Sequence, residues 1–187
     1  MALKEYPRLF LEGEDIPSAA LGVECKRENS TGDHPPLNRI HIWWARRPLA
    51  ASRFAIVGSL VGDDWTHEDI LEIIGVPRGK DPVLERERID NANKRGEKLS
   101  SPFGYRRAFL NPVNSRILKK FKESSKSLWG TERPTILDPF SGGGSIPFEG
   151  LRLGLDVKSV ELNPVACVGI DAVTNIPLHN GGDLNIK

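Results

Sequence analysis

Apolar residues recur at helical spacing through the first two thirds of the chain and then gather into short continuous runs. Residues 17–27, with Pro17 at the first helical position and Ser-Ala-Ala-Leu after it, predict a short helix. Residues 28–38 hold Asn-Ser-Thr-Gly-Asp and Pro35-Pro36 and predict a loop. A second helix is predicted from Pro48 to about residue 61, with Leu49, Phe54, Val57, Leu60 and Val61 on its apolar face. Thr66 followed by Asp69 makes a capping box with Asp in place of Glu, so a helix should run from there through Ile74 and stop at Gly75. Residues 81–96 are rich in Glu and Arg and predict a solvated helix. Residues 100–111 read as loop, and Asn111-Pro112 as the cap of a helix reaching Leu128. The lysines of that helix at 119, 120, 122 and 126 are expected to form a solvent face, with contact to phosphates the alternative.

After Pro134 the period changes. Thr135-Ile136-Leu137 is a short apolar strand ending at Asp138-Pro139, and a stretch rich in Gly and Ser follows it. Residues 146–153 are then helical and closed by Gly154; residues 157–160 form a second strand that ends at Glu161. Asn163-Pro164 opens another helix to about residue 175. Strand, glycine loop, helix, strand, acidic residue and helix make up the first half of a parallel α/β sheet. The expected organisation is a mostly helical region over 1–134 followed by an incomplete sheet domain over 135–187.

Composition narrows the class without naming a function. The 187 residues are 39% hydrophobic and 27% charged, which allows a packed core and excludes wholesale disorder. The longest apolar stretch, residues 55–61, is too short to span a bilayer, and the N-terminus carries no signal peptide pattern. Cys25 and Cys167 form no C-x-x-C pair, which excludes a zinc or redox signature and predicts two reduced thiols in a cytoplasmic protein. His34 and His41 lack partners at ligand spacing, so no metal site is expected. The net charge is +1, while residues 135–187 hold three Lys/Arg against six Asp/Glu, leaving the front of the chain slightly basic.

The chemistry sits in Asp138-Pro139-Phe140-Ser141-Gly142-Gly143-Gly144-Ser145. Its glycines allow a tight turn and a close ligand approach at the carboxyl end of the first strand. Glu161, at the tip of the next strand, can accept the hydroxyls of a ribose. A dinucleotide fingerprint would read G-x-G-x-x-G, but here the third glycine position is Pro147 and an Asp heads the loop. That anion would repel a pyrophosphate and suits a ligand with an ammonium and a sulfonium. S-adenosyl-L-methionine is such a ligand, and its carboxylate could use the amides around Gly144 and the Ser145 hydroxyl.

The octapeptide resembles motif I of the DNA amino-methyltransferases, D-P-F-x-G-x-G-T, with Ser145 keeping the hydroxyl of the Thr. Glu161 falls at that family's ribose-binding acid. His41-Ile-Trp-Trp-Ala-Arg46-Arg47-Pro48-Leu49 looks like the H-P-x-x-K-P-L segment that precedes motif I and helps enclose the methionine end. Arg47 there stands for the Lys and Ile42 for the first Pro. More narrowly, the two motifs and Glu161-Leu-Asn-Pro-Val-Ala resemble the front of large adenine-specific DNA methylases, some with a zinc ribbon. That likeness covers most of residues 15–175. It implies a Rossmann-like methyltransferase sheet and a cofactor site at residues 138–145, Glu161, Arg47 and Pro48. It also implies DNA as partner. Trp43 and Trp44 fit either packing or stacking on a base; Arg46, Arg47 and Arg53 could meet phosphates, with Arg47 better suited to the cofactor carboxylate.

The family's (D/N/S)-P-P-(Y/F/W) tetrapeptide, which aligns the target amine with the methyl donor, has no match. Pro35-Pro36 is flanked by His34 and Leu37, Asn111-Pro112 continues as Val-Asn, and Asn163-Pro164 as Val-Ala. The expectation is therefore the cofactor-binding N-terminal portion of a DNA amino-methyltransferase, with adenine the expected base. Its catalytic motif would lie on a C-terminal portion, in the same or a separate chain, and this chain would be inactive alone. The competing reading is a non-catalytic nucleic-acid-binding or interaction module. A weaker rival is methylation of RNA or protein.

Overall fold

A computed structural model describes residues 8–30, 34–43, 45–99 and 103–180. It is mixed α/β, mostly helical, with a small two-stranded parallel sheet. Along the front of the chain lie α1 (Ser18–Glu28), α2 (Pro36–Ile40), α3 (Leu49–Gly58), α4 (His67–Ile74) and α5 (Pro82–Lys94). Next come α6 (Ser115–Trp129), β1 (Thr135–Asp138), α7 (Ser145–Arg152), β2 (Asp156–Ser159), α8 (Pro164–Val173) and α9 (Asn175–Asn180).

The apolar α3 is the central helix. Leu49, Phe54, Val57 and the following Val61 are buried, and α1, α4 and α7 pack around it. Phe10 meets Phe54 edge-on at 6.3 Å between ring centres, and Trp65 meets Phe121 of α6 edge-on at 6.4 Å, the geometry favoured by aromatic quadrupoles. Leu153 and Leu155, which close α7 and lead into β2, enter this same core. The sheet unit is thereby fastened to the helical region through shared apolar burial.

The strands pair in register from Thr135 opposite Asp156 to Asp138 opposite Ser159. Parallel strands need a crossover, and α7 supplies it. It lies so close over Ile136 and Val157 that a Cβ at Gly150 would come within 2.8 Å of the Val157 side chain. Leu137, on the other face, is 61% exposed, and Lys158 opposite it is exposed too.

Several boundaries differ from expectation. Pro17 and Pro48 are N-caps rather than first helical residues. The expected loop over 28–38 includes the end of α1 and the start of α2. The loop over 100–111 includes a 3-10 turn at Ala108–Leu110. Asn111 does not cap α6: its side-chain amide donates to the Gly75 carbonyl at 2.7 Å, and Asn114 caps the helix by accepting from the Arg116 amide at 2.9 Å. Lys120 is not a free solvent cation, since it donates to Asp69 at 2.7 Å and lies 4.9 Å from the centre of the Trp65 ring. The last predicted helix is interrupted at Thr174, which separates α8 from α9. Among the described residues no helix is long and apolar enough to cross a membrane.

Candidate functional site

The two parallel strands deliver Asp138 and Glu161 to the same carboxyl end of the sheet, with the glycine loop between them. Asp138 is buried, its carboxylate accepting from the Phe140 amide at 3.2 Å. Its carbonyl accepts from the Val160 amide at 2.9 Å and from the Ser141 hydroxyl at 3.0 Å. Ser141 is tied further to the second strand, by its amide to the Val160 carbonyl at 3.1 Å and by a 2.6 Å hydroxyl contact with Ser159. The loop thus leaves β1 in a fixed direction. Phe140 projects from it, 86% exposed.

Glu161 holds the other side. One oxygen accepts from the Gly142 amide at 2.7 Å; the other accepts from Leu162 at 2.8 Å and Asn163 at 2.9 Å. The amides of Asn163, Gly142 and Leu162 together hold its carboxyl below the usual carboxylate range. Three of the roughly four acceptor positions of a carboxylate are used, and the open one is on the oxygen facing Gly142.

The loop ends at Gly144, the N-cap of α7, at a φ of 77° that glycine adopts without strain. No side chain caps α7 there. Ser145, expected to present its hydroxyl to a ligand carboxylate, donates it to the Arg47 carbonyl at 2.7 Å. Gly143 has no such φ requirement, yet a Cβ on it would lie 2.9 Å from Trp43 Cβ; one on Gly142 would lie 3.1 Å from Trp43 Nε1. Trp43 therefore packs on the glycine loop. Trp44 lies outside the described residues.

The segment carrying Trp43 is anchored from behind. Buried Glu28, at the end of α1, accepts from the Leu49 amide at 2.8 Å and the Ala50 amide at 3.3 Å, and pairs with Arg46 at 2.5 Å. It serves as the side-chain cap that Pro48 cannot provide to α3. Two of the three candidate phosphate-binding arginines are consumed inside the protein: Arg46 by Glu28, and Arg53 by Glu149. The reason is burial, since each would lose its counter-charge by reaching outward. Arg47 is exposed and has no side-chain partner among the described residues. Neither Glu28 nor Glu149 carried a sequence signal, because each finds its partner far along the chain.

These elements line an open cleft of about 290 Å³, bordered by Trp43, Ala45, Arg46, Arg47, Asp138, Phe140, Ser141, Gly142, Gly143, Ser145 and Ile146. Pro48 is set back from it as the α3 cap, and Pro139 forms the turn out of β1. Glu161 does not line it and touches it through Gly142. Among the described residues no group of three His, Cys, Asp or Glu side chains is placed to hold a metal ion.

Residues 15–91 match the model of a family described as a protein of unknown function (DUF1156). The match takes in the Trp43–Leu49 segment and ends before the glycine loop. No curated protein and no solved structure matches the chain.

Proposed function

We propose that the cleft binds S-adenosyl-L-methionine and that the chain is the cofactor-binding portion of a DNA methyltransferase acting on an exocyclic amine, that of adenine. The reading rests above all on one observation: Asp138 and Glu161 share the carboxyl end of two parallel strands, with a glycine loop and an uncapped helix N-terminus between them. The residues fit the ligand's charges. Asp138 suits its ammonium, while the first amides of α7 and the exposed Arg47 suit its carboxylate. The open acceptor position on Glu161 suits a ribose hydroxyl. When bound, the cofactor supplies a methyl group on a positively charged sulfur; the chain's residues hold and orient it. A Rossmann-like continuation of the sheet belongs to the same reading. The bare face at Leu137 and the exposed Val165 and Val168 of α8 support a covering portion that would carry the D-P-P-Y-type motif. DNA as partner is supported by the exposed Arg39 and Arg47.

Calorimetry with S-adenosyl-L-methionine tests the reading. Binding to the 187-residue chain that is lost in Glu161→Ala and Gly142→Val is expected; equal affinity in both variants overturns the site. A specific observation favours the second reading, a non-catalytic interaction module. Glu161 already satisfies three backbone amides, and Trp43 accounts for the space at Gly143, so both features also serve a ligand-free scaffold. No cofactor binding by the unmodified chain selects that alternative.

A further inference from the structure

We infer that Trp43 is a positioning residue for the glycine loop, and that position 143 is glycine because of Trp43 rather than because of a ligand. The ligand half of this inference rests on the cofactor reading above; the loop half does not.

The geometry separates the three glycines. Gly142 and Gly144 have φ of 48° and 77°, so backbone conformation alone restricts them. Gly143 has a φ open to any residue, and its constraint is contact: an added Cβ would stand 2.9 Å from Trp43 Cβ and 3.1 Å from both Cγ and Cδ1. Carbon atoms pack at about 3.5–4.0 Å, so the atoms could not all remain in place. Trp43 in turn cannot retreat freely. Four residues on, the Arg47 carbonyl is held by Ser145 at the far end of the same loop, and Arg46 and the Leu49 amide are held by buried Glu28. The segment carrying Trp43 and Arg47 thus holds the loop at Gly142-Gly143 and again at Ser145. A loop held in this way presents its amides in one arrangement, which lowers the cost of ordering it when a ligand binds.

Two sets of measurements on the full chain decide the matter. In the first, stability is read for Gly143→Ala, Trp43→Gly and the double variant, because Trp43→Ala would retain the clashing Cβ. Gly143→Ala is expected to lower the melting temperature when Trp43 is present and to cost little when it is introduced into the Trp43→Gly variant. Equal cost in both overturns the contact argument. Deuterium uptake over residues 140–146 should rise in Trp43→Ala and stay near wild type in Trp43→Phe, which keeps the Cβ, Cγ and Cδ1 atoms facing Gly143. Unchanged uptake in Trp43→Ala overturns the positioning role. In the second, S-adenosyl-L-methionine affinity should fall about tenfold or more in Trp43→Ala at unchanged far-ultraviolet circular dichroism, and be retained in Trp43→Phe. Binding by Trp43→Ala equal to wild type overturns the ligand half alone. If the wild type binds no cofactor, the cofactor reading and the ligand half fall together, while the stability and exchange results still decide the loop half.

Discussion

Arg53 of α3 and Glu149 of α7 meet at 2.5 Å with both side chains fully buried. Arg53 also donates to the Ile73 carbonyl at 3.1 Å, and Glu149 accepts from Arg152 at 2.9 Å. Burial draws the Arg152 guanidinium below its ordinary pKa, against the opposing pull of Glu149. The pair ties the sheet unit to the central helix through a buried charge contact.

Removing Arg53 leaves the fully buried Glu149 with Arg152, itself partly exposed, as its remaining counter-charge among the described residues. Arg53→Met should destabilise the fold by about 3–5 kcal/mol in urea titrations, the cost typical of a broken buried pair. Arg53→Met with Glu149→Leu should recover part of that loss, because a hydrophobic pair of similar volume avoids desolvation while Arg152 keeps the Phe109 and Asn111 carbonyls. A double variant as unstable as the single one would show that the ion pair has a role packing cannot replace.

Glu161 gives the strand end a pH dependence whose sign is set by its lowered pKa. In the unfolded chain its carboxyl takes up a proton near the ordinary value of 4.5, while in the folded chain the amides of Asn163 and Gly142 keep it ionised to lower pH. Its stabilising contribution is therefore full above the unfolded pKa and is lost as pH falls through the folded one. Wild type and Glu161→Gln should differ in melting temperature at pH 7, and the gap should close as the solution is acidified below about pH 4. A gap that persists unchanged at about pH 3 would mean that shape, not charge, sustains the contact.

The two cysteines should separate by reactivity. Burial and the neighbouring Glu28 push the Cys25 thiol up to about 11, whereas Cys167 is exposed on α8. Iodoacetamide at about pH 8 should label Cys167 first and reach Cys25 on unfolding, read by peptide mass spectrometry. Equal labelling rates in the native protein would contradict the packing of α1 against α3.

A local probe of the helical region is the α4 cap. Thr66 accepts from the Asp69 amide at 3.2 Å. Burial alone would raise the Asp69 pKa, but hydrogen bonds from Lys120 and Thr66 outweigh it and hold the carboxyl below its ordinary range. Thr66→Ala should cost about 1 kcal/mol in thermal or urea unfolding; no measurable loss would mean that Lys120 alone secures Asp69.

Local signals were legible where the partners lie within one helical turn. Thr66 and Asp69 cap α4 and Asn163 caps α8, each through contacts two or three residues away. The end of β1 at Asp138 was legible because an apolar run stops at an acid, whereas β2 spans Asp156–Ser159 and ends short of Glu161. Asn111 misled because it has the form of a cap, yet Gly75, distant in sequence, offered its amide a carbonyl.

From its residues alone, this chain determines roughly where most helices and the two short strands lie and that glycines separate two acids, but not the presence of α2 or the start of α6. Only tertiary structure decided that Glu28 caps α3, that Arg46 and Arg53 face inward, and that Trp43 lies on Gly143. The physical reason is range. Caps and periodicity arise from interactions a few residues apart, whereas a buried charge takes its counter-ion, and a glycine its neighbouring indole, from whichever distant segment packing brings alongside.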